Sequence, residues 1–296
     1  MDPERLVQLM SDEEVTISAG VPTIWQGVKA VLEASPGKYD LSNLSRLTCG
    51  GSSPPISLMR WYADELGIEM VQGWGMTETN PLGTLSRKVA KRSHLTITEE
   101  EQFANTGKAG LLMPGLEMEI VDENWNPVPH DGESVGELLI KGPWICSEYY
   151  KDEQPDKFHG EWLITGDIAK IDAEQYLIIA DRSKDLIKSG GEWISSVDLE
   201  NHIVALEGIR QAAVVAYPHP KWDERPVALV VAVEGANTTS ELILEHCSTI
   251  FAKWQLPDDV IFVDELPLTS TGKIDKKTIR SNLAEENYEL PDLRSG

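Results

Sequence analysis

Two short segments of the sequence combine glycines with side chains that can bind phosphate or a metal ion. In "GWGMTET", residues 73–79, two glycines let the backbone approach a flat or anionic ligand, and Thr77 and Glu78 supply a hydroxyl and a carboxylate. In "LTSTGKIDKK", residues 268–277, Lys273 follows a turn of serine, threonine and glycine. Taken alone, the first segment is typical of a capped strand-to-helix turn and the second of a solvated loop.

The segment around Lys273 does not fit the phosphate loop of P-loop NTPases. That pattern requires a glycine five residues before Gly272, where this chain has Pro267. It also requires a serine or threonine after Lys273, where this chain has Ile274. A P-loop NTPase is therefore excluded.

Two other segments place charged side chains beside glycines. "DRSKDLIKSGGEWISS", residues 181–196, lies between two stretches that read as packed structure, so its charges fit the wall of a cleft better than a helix face. "WLITGDIAKID", residues 162–172, is typical of a hairpin turn in which Asp167 accepts from backbone donors. Either segment alone has a structural explanation.

The charge balance restricts the partners. The 296 residues include 26 Lys and Arg against 49 Asp and Glu, a formal net charge of -23. Such a surface repels DNA, RNA and anionic lipid, so no nucleic-acid partner is expected. A small phosphate ligand needs only a local cluster of donors and stays possible.

Cysteine spacing and hydropathy indicate the compartment. Cys49, Cys146 and Cys247 are far apart and without histidines at metal-ligand spacing, which favours a reducing compartment over a disulfide framework or a zinc site. The first twenty residues are too acidic for a secretory signal, and the longest apolar run, residues 227–233, is too short to span a bilayer. We therefore expect a soluble, cytoplasmic protein without a transmembrane segment.

The elements that must position these groups change character along the chain. Over residues 1–106, helical and strand periods alternate, which predicts part of a large doubly wound α/β domain with ligands beyond the carboxyl ends of its strands. Residues 107–181 contain short strands between turns and predict a small β-barrel subdomain of the same domain. From residue 182 to 296 the order of helices and strands predicts a compact α+β domain. The fold class is therefore α/β, with two domains, 1–181 and 182–296.

Helix starts in the second domain have sequence signals. Ser195 with Asp198, and Thr238 with Glu241, have the spacing of N-terminal capping boxes. The helices predicted in this domain are "SVDLENHIVAL", residues 196–206, "SELILEHCSTIF", residues 240–251, and "KKTIRSNLAEE", residues 276–286.

Five motifs are more informative together, in this order and at these separations, than alone. They are "GWGMTETNP", "GELLIKGPWICSEYY", "WLITGDIAKID", "DRSKDLIKSGGEWISSVDLEN" and "PLTSTGKIDKK". Together they resemble the adenylate-forming, or AMP-binding, superfamily of acyl-CoA synthetases, adenylation domains and luciferases. "KDLIKSGGEWISSVDLEN" and "FAKWQLPD" are most similar to the medium- and long-chain fatty acyl-CoA synthetases. The resemblance covers essentially the whole chain.

The resemblance implies a fatty-acid–CoA ligase that works through an acyl-adenylate. Such an enzyme joins a carboxylate to AMP from Mg-ATP, releases diphosphate and passes the acyl group to the thiol of CoA. The implied partners are a fatty acid, ATP and CoA, and the implied metal is Mg²⁺.

The resemblance also implies nucleotide contacts in the first domain. Trp74 would stack on the adenine, and Asp167 would accept from both ribose hydroxyls. Thr77 would bind phosphate, and Glu78 would hold Mg²⁺, which prefers oxygen ligands. The residues implied for the adenine slot are Gly51, Ser52, Gln72, Gly73, Trp74, Gly75 and Met76.

The second domain would supply the remaining groups. Lys273 would stabilise the transition state at the α-phosphate, so the implied catalytic residues are Lys273, Thr77 and Glu78. Lys184 would be the hinge residue, within residues 181–185, about which the domain rotates between the two half-reactions. Gly190 and Gly191 would line the passage for the CoA thiol. The residues implied as further nucleotide contacts are Arg182, Lys188 and Trp193.

The chain departs from the family pattern at one point. Before "GWGMTE" a complete member carries a Ser/Thr/Gly-rich loop ending in Pro-Lys-Gly that wraps the β- and γ-phosphates, and this sequence lacks it. We therefore expect the carboxyl-terminal part of an acyl-CoA synthetase, inactive alone if that loop is essential. An exposed sheet edge would then favour self-association, so a homo-oligomer is possible.

Two alternatives stay open at this point. An adenylation domain would load a carrier protein in place of free CoA, although "GGEWIS" favours the fatty-acid branch. A non-catalytic remnant would bind nucleotide or CoA without turnover, and the missing loop supports that interpretation.

Overall fold

The chain forms two compact units with separate cores. The computed structural model describes residues 2–152, 154–270, 272–285 and 288. The units are Met1–Ile179 and Ala180–Gly296. Each has two clusters of buried apolar side chains. Within the described ranges, no helix combines the length and apolar character needed to cross a membrane.

The described residues form seven α-helices and fifteen strands. The helices are α1 Pro3–Asp12, α2 Pro22–Ala34, α3 Ile56–Leu66, α4 Glu99–Thr106, α5 Ser196–Val204, α6 Ser240–Ser248 and α7 Lys276–Ala284. The strands are β1 Ile17–Gly20, β2 Arg46–Gly50, β3 Glu69–Trp74, β4 Thr84–Leu85, β5 Gly110–Leu112, β6 Glu117–Val121, β7 Gly136–Lys141, β8 Phe158–His159, β9 Trp162–Ile171, β10 Tyr176–Arg182, β11 Ile187–Ser189, β12 Glu192–Ile194, β13 Ile209–His219, β14 Asp223–Ala232 and β15 Asp259–Phe262.

The first part of the first unit alternates helix and strand as predicted. Strands β1, β2 and β3 are parallel neighbours, and the buried faces of α1, α2 and α3 pack with β2 and β3 into one core. Local signals set the helix ends. The Asp2 carboxylate accepts from the Glu4 amide at 3.0 Å before α1, and Gly67, with φ +66°, ends α3. The α/β fold class is confirmed.

The antiparallel strands predicted for residues 107–181 are confirmed and continue the parallel sheet. The strand order is β1-β2-β3-β4-β5-β10-β9-β7-β6, and β8 pairs with β9. The interpretation of residues 162–172 as a hairpin turn is wrong, because Trp162–Ile171 form one strand, β9. Gly166, with φ +74°, lies where the pairing of β9 with β7 shifts register, so the irregularity is absorbed inside a strand.

The second unit is a sheet with both faces covered. Its strand order is β12-β11-β14-β13, with β15 parallel to β14. Alternate residues of β13 and β14 pack with α5 and α6 on one face and with α7 on the other. Burial on both faces explains why residues 227–231 read as an unbroken apolar run. The predicted compact α+β arrangement is present.

The predicted helix starts at residues 196 and 240 are both confirmed, but one of the two predicted caps is wrong. Ser195 caps α5, and its hydroxyl accepts from the Asp198 amide at 3.1 Å. Before α6 the capping residue is Thr239 and not Thr238, because the Thr239 hydroxyl lies 3.4 Å from the Leu242 amide. Two adjacent threonines compete for this role, and spacing alone did not separate them. For α7, predicted to reach residue 286, that last position lies outside the described residues.

Candidate active site

The ends of β2 and β3 bring the predicted adenine-slot residues together. The strands are parallel neighbours in which Cys49 pairs with Gln72 and Gly50 with Gly73. Their carboxyl ends therefore meet at one edge of the sheet, where the chain continues into residues 51–52 and 74–76. Gly51 has φ +84°, which only glycine adopts readily.

Gln72 gives this edge an unsatisfied acceptor. The side chain is 5% exposed and its amide nitrogen donates to the Ser53 hydroxyl at 3.4 Å. Its Oε1 atom is buried and has no hydrogen-bond partner within the part of the chain that the structure describes. A buried amide oxygen is costly to leave unpaired, so the position fits a ligand with an N–H donor, such as an adenine amino group.

The loop that follows β3 is fixed by close contacts. A Cβ added at Gly75 would lie 1.9 Å from the carbonyl oxygen of Pro81, so only glycine fits there. The buried Thr79 hydroxyl accepts from the Met76 amide at 2.9 Å and lies 2.7 Å from the same Pro81 oxygen. Asn80 Nδ2 donates to the Trp144 carbonyl at 2.6 Å. These contacts hold the loop in one conformation.

The two predicted phosphate and metal groups lie on this loop. Thr77 is exposed and Glu78 is partly buried. The Tyr149 hydroxyl donates to Glu78 Oε1 at 2.7 Å. Burial and this bond raise the pKa of Tyr149 to about 12, so the phenol keeps the proton that it donates. Sequence reasoning missed Tyr149, although it lies in the quoted "SEYY" segment.

The donors around Glu78 fit a Mg²⁺ ion that arrives with a nucleotide. Among the described residues, no three His, Cys, Asp or Glu side chains converge on one point. Mg²⁺ in nucleotide sites is commonly held by one or two carboxylates together with substrate phosphates and water. A single carboxylate held by Tyr149 on a fixed loop is compatible with that kind of site.

Asp167 lies beside the same loop, in the middle of β9. It is 2% exposed, and the indole Nε1 of Trp74 donates to its Oδ2 atom at 2.8 Å. Its backbone amide donates to the Thr165 hydroxyl at 3.1 Å. The amide of Gly166 donates to Glu137 Oε1 at 2.9 Å. Burial, together with the charge of Asp167, raises the pKa of Glu137.

The first unit therefore collects most of the predicted site. The ends of β2 and β3, the loop with Glu78, and Asp167 are joined through Trp74 and its neighbours. Trp74 itself is 9% exposed and packs in the core of the antiparallel strands. Sequence reasoning placed Trp74 against the base but did not foresee its bond to Asp167.

In the second unit, the predicted hinge region forms a tight turn. The amides of Asp185 and Leu186 both donate to the Arg182 carbonyl at 2.9 Å, and the side chains of Arg182 and Lys184 are exposed. A side chain of α7, Arg280, pairs with the Asp185 carboxylate. The turn is thus attached to α7.

The four residues predicted after the hinge lie on one hairpin, β11–β12. Lys188 pairs with Trp193, and the Lys188 ammonium lies 5.4 Å from the centre of the indole ring. Gly190 and Gly191 form the turn with φ +61° and +91°. The turn geometry therefore requires glycine at these positions whether or not a thiol passes them.

Lys273 lies on a partly exposed hairpin that leads into α7. Leu268 and Ile274 form a bridge, the Thr269 amide donates to the Lys273 carbonyl at 2.7 Å, and the Lys273 amide donates to the Thr269 hydroxyl at 3.2 Å. Asp275 then caps α7 by accepting from the Thr278 amide at 3.1 Å.

A buried charge network anchors α7, and sequence reasoning missed it. The Lys276 ammonium donates to the Ser196 hydroxyl at 2.6 Å and lies 2.7 Å from the Glu200 carboxylate. The Ser196 hydroxyl donates to Asp181 at 2.5 Å. Burial alone would lower the pKa of Lys276, but the charges of Glu200 and Asp181 raise it above its ordinary value. Lys276 therefore stays charged and fixes α7 to α5.

Two family models match the chain. The model described as AMP-binding enzyme matches residues 1–150, and the model described as AMP-binding enzyme C-terminal domain matches residues 198–273.

Curated relatives match along nearly the whole chain. A 3-methylmercaptopropionyl-CoA ligase of Ruegeria lacuscaerulensis is 42% identical over 95% of this chain and 52% of its own length. A long-chain-fatty-acid–CoA ligase of Thermus thermophilus is 46% identical over 97% of this chain and 52% of its own length. The chain thus spans about half the length of the curated relatives it matches.

A solved structure has the same fold. The crystal structure of the anthranilate CoA ligase AuaEII in complex with anthranoyl-AMP superposes with a TM-score of 0.84 at 27% identity. The match covers 96% of this chain and 53% of that one.

Proposed function

Because the chain belongs to the AMP-binding enzyme family, we propose that its residues serve a fatty-acid–CoA ligase reaction through an acyl-adenylate. The observation that carries the proposal is the cluster in the first unit. There the glycine-rich ends of β2 and β3, the Glu78 loop and the buried Asp167 carboxylate lie together, with an unpaired Gln72 oxygen. This set of groups suits a nucleotide better than an apolar ligand.

In the first half-reaction, the carboxylate of the acid attacks the α-phosphorus of ATP and diphosphate leaves. We assign the adenine to the backbone of residues 51–52 and 72–76, with the Trp74 ring beside it. Asp167 accepts from the ribose hydroxyls, and Thr77 donates to a phosphate oxygen. Glu78 would hold Mg²⁺, which neutralises charge on the departing diphosphate when it is bound.

Lys273 is assigned to the charge that develops at the α-phosphate. Its hairpin is partly exposed, which suits a lysine that must reach a substrate and then withdraw. Rotation about Lys184 would supply that movement, because an exposed polar residue tolerates solvent in either orientation.

In the second half-reaction, the CoA thiol attacks the acyl carbonyl and AMP leaves. We assign the thiol passage to the turn at Gly190 and Gly191. Arg182, Lys188 and Trp193 are assigned as nucleotide contacts of the second unit.

The acid is proposed to be a medium- or long-chain fatty acid. The similarity to the Thermus thermophilus ligase supports a long acyl chain. The similarity to the 3-methylmercaptopropionyl-CoA ligase supports a short thioether acid as the alternative. A panel of hexadecanoate, octanoate and 3-methylthiopropanoate separates these possibilities.

The test is acid-dependent exchange of diphosphate into ATP by the purified chain. Exchange by the wild-type chain would show that the missing loop is dispensable, and Lys273→Ala and Glu78→Ala should then each reduce it at least about a hundredfold. Lys277→Ala is the matched control, because it changes an exposed lysine at the start of α7, and it should leave the rate unchanged. Absence of exchange with AMP still bound would instead support a non-catalytic nucleotide-binding role. Transfer to a pantetheinyl carrier protein but not to CoA would support carrier loading.

A further inference from the structure

The Trp74 side chain makes a hydrogen bond to Asp167 that stacking of its ring on a nucleotide base would not require. The indole Nε1 of Trp74, at the end of β3, donates at 2.8 Å to Oδ2 of Asp167, in the middle of β9. Both side chains are buried. The indole N–H lies in the plane of its ring, so the bond to Asp167 leaves the ring faces for other contacts.

The surroundings fix both partners of this bond. A Cβ at Gly83 would lie 2.4 Å from the Trp74 ring, so Gly83 provides the space that the indole fills. On the other side, the Asp167 amide donates to Thr165 Oγ1 at 3.1 Å, and the Thr165 hydroxyl donates to the Leu138 carbonyl at 2.8 Å. The backbone of Asp167 is thus held by β7 and β9, and its carboxylate is oriented by Trp74.

Orientation matters because a carboxylate is loosely defined on its own. The terminal torsion of an aspartate is broad, so a carboxylate that must accept from two vicinal hydroxyls loses torsional freedom on binding. A charge-assisted hydrogen bond from a packed indole restricts that torsion before the ligand arrives. Restriction before binding improves affinity by reducing the ordering that binding requires.

We infer that Trp74 is a positioning residue: its indole N–H orients the Asp167 carboxylate for the ribose hydroxyls, and so makes the site selective for ribonucleotides over deoxynucleotides. The inference rests on the proposed function, which assigns Asp167 to the ribose. It adds a residue that acts through Asp167 and a form of substrate selectivity.

The test is isothermal titration of the full chain with AMP and with 2′,3′-dideoxy-AMP. The affinity for the dideoxy compound reports contacts with the base and phosphate, and the ratio of the two affinities reports the ribose contacts. Trp74→Phe keeps an aromatic ring and removes the donor. Trp144→Phe is the matched control, because Trp144 packs in the same core and donates its indole N–H to the Leu82 carbonyl at 3.3 Å.

The wild-type chain should prefer AMP by at least about tenfold, since hydrogen bonds to a charged group are at stake. Trp74→Phe should reduce that preference to about threefold or less, because it lowers the affinity for AMP more than the affinity for dideoxy-AMP. Trp144→Phe should keep the wild-type ratio. In an Asp167→Ala background, adding Trp74→Phe should leave the ratio of the two affinities unchanged, because the positioning effect of Trp74 acts through Asp167.

The contrary results are distinct. A wild-type ratio in Trp74→Phe, or an equal loss of affinity for both nucleotides, would overturn the positioning role and leave the proposed function intact. A wild-type chain that binds neither nucleotide would overturn the proposed function and this inference with it.

Discussion

Two loops of the molecule carry proposed catalytic groups and are built in opposite ways. The loop of residues 75–81 in the first unit is packed so closely that Gly75 has no room for a side chain, and its Thr79 hydroxyl is buried. In the second unit, residues 268–270 are exposed and residues 272–274 are only partly buried, although a threonine, Thr269, also bonds the backbone there.

The difference between the two loops matches two different requirements of the proposed reaction. A nucleotide site must hold base, ribose and phosphate in one geometry, which favours a loop fixed before binding. A lysine needed in only one half-reaction must approach the substrate and then leave it, which favours a solvent-accessible loop attached to an anchored helix. That helix is α7, which Lys276 fixes through buried charges. Four sets of substitutions test this comparison.

The largest expected loss of stability comes from a substitution in α7, the helix to which the Lys273 loop is attached. Lys276→Met removes the cation of a buried pair, in which the Lys276 side chain is 13% exposed, and should lower the free energy of unfolding of the second unit by about 3 kcal/mol. Urea denaturation followed by circular dichroism measures it. Lys277→Met, at an exposed neighbour, should be close to neutral, and equal effects of both variants would contradict the anchoring role.

The next effect is expected in the nucleotide loop. Gly75→Ala places a methyl group against the Pro81 carbonyl and should destabilise the first unit by about 2 to 3 kcal/mol through forced backbone movement. Gly37→Ala is the control, because Gly37 has φ +71° but no atom near its Cβ position, and should cost only about 1 kcal/mol. If Gly75→Ala is no worse than Gly37→Ala, the loop is less rigid than its contacts indicate.

The two threonines offer a matched pair. Thr79→Val removes a buried hydroxyl and leaves the Met76 amide without that acceptor, which should cost about 2 kcal/mol of stability. Thr269→Val changes an exposed side chain and should cost less than about 0.5 kcal/mol, yet lower adenylation about tenfold by loosening Lys273. Urea denaturation and diphosphate exchange are measured on both variants. Thr79→Val should mainly lower the stability, and Thr269→Val should mainly lower the rate.

The smallest expected effect concerns Asp275, the N-cap residue between the Lys273 loop and α7. Hydrogen bonds from the Thr278 backbone and side chain lower the pKa of Asp275 below its ordinary value. Its stabilisation is therefore present above about pH 4 and is lost as the pH falls below that. Asp275→Ala should lower the melting temperature at pH 7 and approach wild type near pH 3. The melting temperature of Asp275→Asn, which keeps an acceptor, should lie between those of Asp275→Ala and wild type. A difference in melting temperature between Asp275→Ala and wild type that grew as the pH fell would contradict this role of Asp275.

Sequence periodicity predicted the elements well where a pattern is local. Helices α1 to α3 and strands β1 to β3 follow from their own hydrophobic periods and end signals. The apolar run of β14 likewise indicated a buried strand. These features depend on neighbours in the chain, which the sequence displays directly.

What sequence reasoning missed depends on residues far apart in the chain. Trp74 and Asp167 are separated by 93 positions, and their bond needs the sheet order β3-β4-β5-β10-β9. Residues 162–172 looked like a turn because Gly166 and Asp167 favour turns, but the pairing with β7 keeps them in a strand. The Lys276 network joins α5 and α7 across 80 positions and leaves no local signal. The roles assigned to the site residues, among them Lys184, Gly190 and Gly191, stay predictions.

The most direct test of the account is binding of an acyl-adenylate analogue in which a sulfamate replaces the phosphate, measured by isothermal titration. The wild-type chain should bind it, and Asp167→Ala should weaken binding at least about tenfold, because the first unit holds the nucleotide. Lys273→Ala should bind within about threefold of wild type, because that lysine acts mainly in the transition state. Equal binding by wild type and Asp167→Ala, or no binding at all, would contradict the assignment of the nucleotide site.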